Sequence, residues 1–224
     1  MALATTVAVT ALSYFLPEKY QATGVGLGFL VATYLVALRQ DEPDDARRYG
    51  LSLGGLLDPE PLDWRRLLRD GAHALKWALG VSLLIFPVFW WGYVAWWKPL
   101  RPFEPGALPS LDEEVFGQLL VIALPEEAFY RGYLQTALDE AWPKRVRVLG
   151  AELGLGLLVS SALFAVGHLL TTVHPNRLAV FFPALVFGWL RARTGGIGAA
   201  VAFHMLCNLF AAYLARSYGL AGAG

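Results

Sequence analysis

Two adjacent glutamates and an arginine lie within a strongly apolar segment of the chain. Glu126, Glu127 and Arg131 fall in LLVIALPEEAFYRGYL, residues 119–134, which otherwise has the composition of a membrane-spanning helix. An ionisable side chain at the centre of a bilayer costs about 2.5–3.5 kcal/mol on insertion scales, so three such residues within six positions need a use or partners. They indicate a catalytic or transport site, with a buried structural network as the alternative.

Helical spacing separates the two glutamates. Glu127 and Arg131 are four residues apart and share one helix face, so we expect them to form an ion pair. Glu126 is turned about 100° away from Glu127 on an α-helix. We therefore expect Glu126 to face a cavity and to act as a general base.

Two later apolar segments carry polar side chains at a matching spacing. FAVGH places Phe164 and His168 four residues apart, and HMLCN does the same with His204 and Asn208. A single histidine in a membrane helix is commonly an interhelical hydrogen-bonding group. A glutamate, two histidines and an asparagine on three separate segments favour an assembled site over coincidental packing.

The elements that must position these residues are membrane-spanning helices. Of the 224 residues, 56% are hydrophobic and only 16% are charged, and the mean hydropathy is +0.48, which is atypical of soluble domains. The net charge of zero gives no indication of a nucleic-acid partner, and the single cysteine, Cys207, excludes an intramolecular disulfide. Crossing a bilayer takes about 17–25 residues. The apolar segments that reach or approach this length lie at 3–17, 21–38, 72–97, 115–137, 153–171, 178–192 and 196–215.

We therefore predict an all-α polytopic membrane protein with about seven transmembrane helices. A polar loop, residues 39–71, separates the second and third predicted spans. In its last part, LDWRRLLRD, a helix with Asp63 as the N-cap would direct Trp64, Leu67 and Leu68 to lipid headgroups and the arginines to water, the pattern of an interfacial amphipathic helix. A short interfacial helix is therefore predicted before the third span.

The distribution of basic residues predicts the orientation. Loops two, four and six carry eleven lysines and arginines, whereas the opposite side carries five. Because basic residues are retained in the cytoplasm, the N-terminus and the even-numbered loops are predicted to be cytoplasmic. The eleven are Arg39, Arg47, Arg48, Arg65, Arg66, Arg69, Lys144, Arg145, Arg147, Arg191 and Arg193, and the five are Lys19, Lys98, Arg101, Arg177 and Arg216.

Three motifs taken in order resemble a known family. EEAFYR at 126–131, FAVGH at 164–168 and HMLCN at 204–208 are similar to the three motifs of the CPBP family, also called Abi, which comprises CAAX prenyl endopeptidases and bacteriocin-processing or immunity proteins. The resemblance covers about residues 115–215, interpreted as the catalytic core of a single integral-membrane domain, 1–224. Residues 1–114 are interpreted as variable N-terminal spans and a cytoplasmic loop.

The resemblance implies a glutamic-type intramembrane endopeptidase. In such an enzyme Glu126, helped by His168, activates the hydrolytic water, and His204 and Asn208 donate hydrogen bonds to the oxyanion. Glu127 and Arg131 then hold the helix and the charge state of the site, and Phe164 orients His168. A non-catalytic immunity or interaction protein of the same fold and a small membrane transporter are the alternatives.

No cofactor is expected, although zinc is an alternative. Glu126, His168 and His204 are the residue types of a zinc site with one open position for water. The chain lacks HExxH, whose two histidines lie on one helix. The metal-free mechanism is therefore favoured.

The resemblance also implies a substrate class and a location. The chain is similar to small bacterial members of the family, including the myxosortase-like group, which trims C-terminal anchors of exported proteins. We therefore expect a membrane-associated protein or peptide substrate, cleaved near a C-terminal anchor or sorting segment. The expected location is a bacterial inner (cytoplasmic) membrane, with the lipid bilayer as the surroundings.

Overall fold

The computed structural model describes residues 2–39, 44–106, 108–110 and 114–220, so parts of the predicted loop 39–71 and of the predicted domain 1–224 lie outside the described residues. Within the described residues the fold is helical except for one short hairpin. The α-helices are α1 (Ala2–Phe15), α2 (Glu18–Thr33), α3 (Asp45–Arg48), α4 (Trp64–Trp97), α5 (Leu124–Glu127), α6 (Gln135–Ala141), α7 (Leu155–Thr171), α8 (Phe181–Thr194) and α9 (Gly198–Ser217).

Two of these helices continue into π-helical turns. Residues Tyr34–Leu38 extend α2, and Gly117–Ala123 and Ala128–Leu134 flank α5. Together with α5 and α6, the latter two make one uninterrupted helix, which we call the site helix (117–141). Short 3₁₀ turns lie at Leu53–Gly55 and Pro175–Val180.

A helix lies at each of the seven predicted segments, which confirms an all-α fold of the membrane type. Glu18–Leu38, Trp64–Trp97 and Gly198–Ser217 are long and apolar enough to cross a bilayer. Leu3–Phe15 and Leu155–Thr171 are apolar but shorter. The number of segments that cross the membrane stays a prediction.

The predicted interfacial helix is the first part of α4 and not a separate element. The Asp63 side chain accepts a hydrogen bond of 2.9 Å from the backbone N–H of Arg65, so the predicted N-cap is present. No proline interrupts the helix before Pro87. At about 1.5 Å per residue α4 is about 50 Å long, which exceeds the roughly 30 Å hydrocarbon layer. Its amphipathic first turns can therefore lie outside the hydrocarbon without a break in the helix.

A hairpin in loop four was not predicted. Strand β1 (Val146–Val148) pairs antiparallel with β2 (Ala151–Leu153), with Val148 opposite Ala151. The two residues between the strands, Leu149 and Gly150, have φ of 47° and 80°. Positive φ at both central residues is the geometry of a tight turn that matches the twist of a hairpin.

The three basic loops meet at one end of the bundle, which we call the arginine-rich end. The Arg48 guanidinium donates to the Glu140 carboxylate over 2.8 Å, which joins loop two to the end of α6. Arg191, at the end of α8, donates to the Arg48 carbonyl over 3.3 Å. Loops two, four and six therefore share one side, as the predicted topology requires.

The other loops meet at the opposite end. The Tyr14 hydroxyl, near the end of α1, donates to the Leu170 carbonyl at the end of α7 over 2.6 Å. Arg216, at the end of α9, forms a 2.8 Å ion pair with Glu114 before the site helix. The two ends are therefore distinct, and the assignment of the arginine-rich end to the cytoplasm stays a prediction.

A close approach of two helices positions the site helix. A Cβ atom on Gly26 of α2 would lie only 2.4 Å from the carbonyl oxygen of Val121, so glycine is required for this contact. Pro125 lacks the N–H that would bond to that carbonyl in a regular α-helix. The surrounding core is aromatic, and its buried members include Phe29, Phe129, Tyr130, Phe164, Phe187 and Phe203.

Candidate active site

Glu127 is fully buried and joins two helices. Its Oε1 atom accepts a 3.0 Å hydrogen bond from Arg131 Nη1, and the Glu127–Arg131 ion pair predicted from their spacing is therefore present. The same oxygen lies 2.8 Å from Nδ1 of His204 on α9. The second partner was missed by sequence reasoning, because nothing in the chain near Glu127 indicates which face of α9 it meets.

Arg131 is enclosed on all sides. Its guanidinium donates to the Ala184 carbonyl of α8 over 3.2 Å, and its central carbon lies 4.4 Å from the Phe164 ring and 5.1 Å from the Phe187 ring. Aromatic faces attract a cation, more strongly where water is excluded. The buried charge of Arg131 is thus balanced by Glu127 and supported by α7 and α8.

His204 is held in one orientation. Its ring stacks on Phe187, with centroids 4.6 Å apart and planes 15° apart. A carboxylate oxygen can only accept, so the bond to Glu127 places a hydrogen on Nδ1 of His204. The other nitrogen, Nε2, then points towards Glu126 and lies 3.8 Å from its Oε2.

Glu126 lies at the wall of a cavity. Its side chain is 13% exposed, and Oε2 has no hydrogen-bond partner among the described residues. The cavity has a volume of about 540 Å³ and is also lined by Tyr130 of the site helix and His168 of α7. Glu126 therefore forms part of the cavity wall, whereas Glu127, its neighbour in the chain, is fully buried against other helices.

His168 shares this cavity with Glu126. Its Nδ1 lies 3.1 Å from the Phe164 carbonyl, which can only accept, so Nδ1 carries a hydrogen. The Phe164 ring lies 4.4 Å from the His168 ring and 5.9 Å from the His204 ring. Phe164 therefore packs between the two histidines, and Nε2 of His168 is left available to the cavity.

Asn208 is placed differently from the other three candidates. Its amide nitrogen donates to Gln118 Oε1 over 2.8 Å, and Asn208 is not among the described residues that line the cavity. The structure thus brings Glu126 together with His204 and, across the cavity, with His168, while Asn208 lies one turn beyond His204. Gln118 was not singled out from the sequence, although a polar residue in an apolar segment was the available signal.

The glutamates lie between two irregular helical segments. Gly117–Ala123 and Ala128–Leu134 are π-helical, and the intervening α5 contains Pro125, Glu126 and Glu127. Single π turns inside helices are frequent at functional sites. Each π turn changes the direction of the side chains beyond it, whereas Glu126 and Glu127 both lie in the α-helical segment α5.

The zinc alternative finds no ready-made site in the part of the chain that the structure describes. No group of three or more His, Cys, Asp and Glu side chains there is arranged to hold a metal ion. Of the three candidate ligands, His204 uses Nδ1 for Glu127, which leaves Nε2 as the nitrogen that could bind a metal ion.

Fold and site together define a polytopic membrane protein with carboxylate and imidazole groups brought together inside a helix bundle. Residues 114–210 match the family model described as type II CAAX prenyl endopeptidase Rce1-like. The match places these residues with the CPBP family, in agreement with the resemblance of the three motifs. This is a protease family. The comparison with curated proteins gave no match, and neither did the comparison with solved structures.

Proposed function

We propose that the protein is an intramembrane endopeptidase in which Glu126 activates a water molecule for attack on a peptide bond. The observation that carries this proposal is the separation of the two glutamates. Glu127 is fully buried and its Oε1 atom is bonded to Arg131 and His204, whereas the Glu126 side chain makes no hydrogen bond among the described residues and lines a cavity shared with His168. A structural network would use both carboxylates for packing.

The charges of the group can balance without a metal ion. Arg131 and Glu127 cancel one another, which leaves the pair of Glu126 and His204, 3.8 Å apart, to hold one proton between them. A net charge in a low-dielectric interior is costly. With the proton on His204, Glu126 is an ionised base and Nε2 of His204 is a hydrogen-bond donor.

This proton placement assigns the roles in hydrolysis. A water held by Glu126 and His168 loses a proton to Glu126 as its oxygen attacks the carbonyl carbon of the scissile bond. The tetrahedral intermediate carries the negative charge on the former carbonyl oxygen, to which His204 Nε2–H donates. Glu126 then returns the proton to the leaving amine, as general acid–base catalysis requires.

Asn208 is proposed as the second oxyanion donor. Its amide presently donates to Gln118, so the role requires Asn208 to exchange this bond for one to the intermediate. Such an exchange replaces one hydrogen bond by a charge-assisted one, which is about twice as strong as a neutral bond. Phe164 and Phe187 position the two histidines and do not contact the reacting atoms.

The proposed substrate is a membrane-associated protein or peptide. A cavity inside a helix bundle admits a segment only if that segment is unfolded or helix-broken, because a folded helix conceals its amides. Cleavage near a C-terminal anchor or sorting segment of an exported protein, in a bacterial inner membrane, fits these requirements. The family match itself covers CAAX-type proteases in general.

Quantitative membrane proteomics of four strains tests the proposal: wild type, a deletion, Glu126→Gln and the control Glu152→Gln. Glu152 is an exposed carboxylate on β2, so the control removes a charge away from the cavity. We expect C-terminal processing events that are lost in the deletion to be lost equally in Glu126→Gln and retained in Glu152→Gln. Retention of every such event in Glu126→Gln contradicts catalysis and favours the non-catalytic alternative.

Metal dependence is tested on the purified protein in lipid vesicles. Because Glu126 and the two histidines suffice for the proposed mechanism, we expect cleavage to survive prolonged chelation. Loss of activity on chelation, with recovery on added zinc, would replace the metal-free mechanism by one in which Glu126, His168 and His204 bind the ion.

A further inference from the structure

The cavity beside Glu126 opens at one end of the bundle. Its lining continues from Glu126 and His168 to residues at the end of α1, the beginning of α2 and the end of α7. None of the described lining residues belongs to the basic loops two, four or six. The lining residues at this opposite end are Ser13, Tyr14, Gln21, Thr171, Thr172 and Arg177.

The exposure of these residues shows that the cavity is open there. Tyr14, Thr171 and Thr172 are exposed, whereas Thr6, deeper on α1, is buried. The wall that α1 contributes carries the hydroxyl groups of Thr6, Thr10 and Ser13 beside Val9. These hydroxyl groups lie along the way to Glu126 and can form hydrogen bonds with a peptide backbone.

Arg177 is the cationic residue at this mouth. It lies in the 3₁₀ turn Pro175–Val180, fixed by a backbone hydrogen bond of 2.9 Å to His174, and it is half-buried. Its guanidinium forms no ion pair within the described residues, whereas Arg216, also at this end, is bonded to Glu114. A half-buried guanidinium beside a substrate cavity is well suited to bind a carboxylate through paired hydrogen bonds.

We propose that the peptide substrate enters from the end opposite the arginine-rich loops and that Arg177 binds a carboxylate group of that peptide. The positive-inside prediction makes this end extracytoplasmic, so the substrate is an exported segment. The carboxylate is either the peptide's C-terminus or an acidic side chain near the scissile bond. This specificity role rests on the proposed protease function.

The side of entry is tested by cysteine accessibility, which does not depend on catalysis. The native Cys207 is replaced by alanine, and Thr172→Cys or, as a control at the arginine-rich end, Lys144→Cys is added. A membrane-impermeant maleimide is applied to intact spheroplasts and to inverted vesicles. We expect Thr172→Cys to react in spheroplasts and Lys144→Cys in inverted vesicles. Reaction of Thr172→Cys only in inverted vesicles overturns the extracytoplasmic entry.

The carboxylate site is tested with three forms of one internally quenched peptide, taken from a processed C-terminal segment: free C-terminus, C-terminal amide, and amide with its acidic residues replaced by their amides. Arg177→Gln is compared with Arg177→Lys and with Lys19→Gln, which removes a cation from the same end outside the cavity lining. We expect Arg177→Gln to raise KM about tenfold, with little change in kcat, for the forms that retain the recognised carboxylate. If the effect on KM is lost in the C-terminal amide, Arg177 binds the peptide's C-terminus. If the effect is lost only when the acidic residues are also replaced, Arg177 binds an acidic side chain.

Two results separate failure of this inference from failure of the proposed function. If wild type cleaves the peptide but KM is the same in Arg177→Gln and in wild type for all three forms, the carboxylate site is overturned while proteolysis stands. The same comparison is made without turnover by measuring the binding of the labelled peptides to Glu126→Gln with and without the Arg177→Gln substitution. If Glu126→Gln cleaves the peptide as fast as wild type does, the proposal that Glu126 is the catalytic base is contradicted. Absence of any preference for a carboxylate in both assays overturns the site.

Discussion

Nδ1 of His204 lies 2.8 Å from Oε1 of Glu127, the same oxygen that accepts from Arg131. The residue that follows the proposed base therefore joins α9 to the site helix. A buried carboxylate that holds the Nδ1–H of an imidazole fixes both the ring orientation and the tautomer, as in many metal and catalytic sites. In the proposed mechanism, Glu127 thus acts on the chemistry through His204.

Replacing Glu127 is expected to separate stability from activity. Glu127→Gln leaves the Arg131 charge buried without its partner, and breaking a buried pair in this way costs about 3–5 kcal/mol. Arg131→Met added to Glu127→Gln removes the orphaned charge and should restore much of the stability. Activity should stay low in both variants, because neither holds His204 with a carboxylate. Thermal unfolding in detergent and peptide cleavage measure the two effects.

The double variant decides this prediction. If it loses as much stability as Glu127→Gln and Arg131→Met lose together, the two losses are additive. Such additive losses would mean that the two side chains do not stabilise one another as an ion pair does. If the double variant regains full activity, Glu127 serves only to neutralise Arg131, and the positioning of His204 must come from Phe187.

Asn208 and Gln118 form a matched pair that tests the oxyanion role. If Asn208 donates to the oxyanion, Asn208→Ala should lower kcat by about 10²–10³, as expected for one oxyanion-hole donor. Gln118→Ala removes only the acceptor that Asn208 now uses and should lower kcat far less. Equal losses in the two variants, together with equal losses in thermal stability, would show that the Asn208–Gln118 hydrogen bond is structural.

The sequence predicted the helical fold and the pairing of Glu127 with Arg131 because both depend on local spacing. Apolar length indicates a span, and four residues separate partners on one helix face. The placement of Glu126 at a cavity also agrees with its angle to Glu127, since both glutamates lie in the α-helical segment α5. These inferences need no knowledge of how the helices pack.

The remaining features depend on contacts between distant segments. The bond from His204 to Glu127 spans 77 positions of the chain, and that from Asn208 to Gln118 spans 90. Neither can be read from spacing along one helix. The sequence predicts the interfacial segment within the polar loop 39–71, apart from the third span, whereas the backbone continues through both as α4. The hairpin in loop four depends on Leu149 at positive φ, which is uncommon for leucine.

Gly26 is expected to set the distance between α2 and the site helix. Because a Cβ there would lie 2.4 Å from a backbone oxygen that cannot move independently, Gly26→Ala should separate the two helices and destabilise the fold by about 1–3 kcal/mol. Gly92→Ala on α4 meets no atom within 4 Å and should be neutral or slightly stabilising. Thermal unfolding of the two variants provides the comparison, and a neutral Gly26→Ala would contradict the close approach.

Acidification is expected to loosen loop two through Asp58. Burial of its carboxyl opposes ionisation, but hydrogen bonds from Ser52 and Arg66 and the charge of Arg66 outweigh burial, so the pKa of Asp58 lies below its ordinary value. A carboxyl with a lowered folded-state pKa stabilises the fold above its unfolded pKa of about 3.9, and the contribution is lost as the pH falls through the folded-state pKa. The stabilisation by Asp58 should therefore be constant from neutral pH down to about pH 5 and disappear at lower pH.

The pH dependence is measured as the difference in Tm between wild type and Asp58→Asn from pH 7 to pH 3. At neutral pH we expect Asp58→Asn to lower stability by about 1.5–3 kcal/mol, the usual contribution of hydrogen bonds to a charged group. Asp44→Asn is the control, since Asp44 is 79% exposed and an exposed ion pair contributes little. We expect the Tm difference to shrink as the pH falls below 4. A difference that grows instead would contradict this prediction, because it would show that the fold stabilises Asp58 in its protonated form.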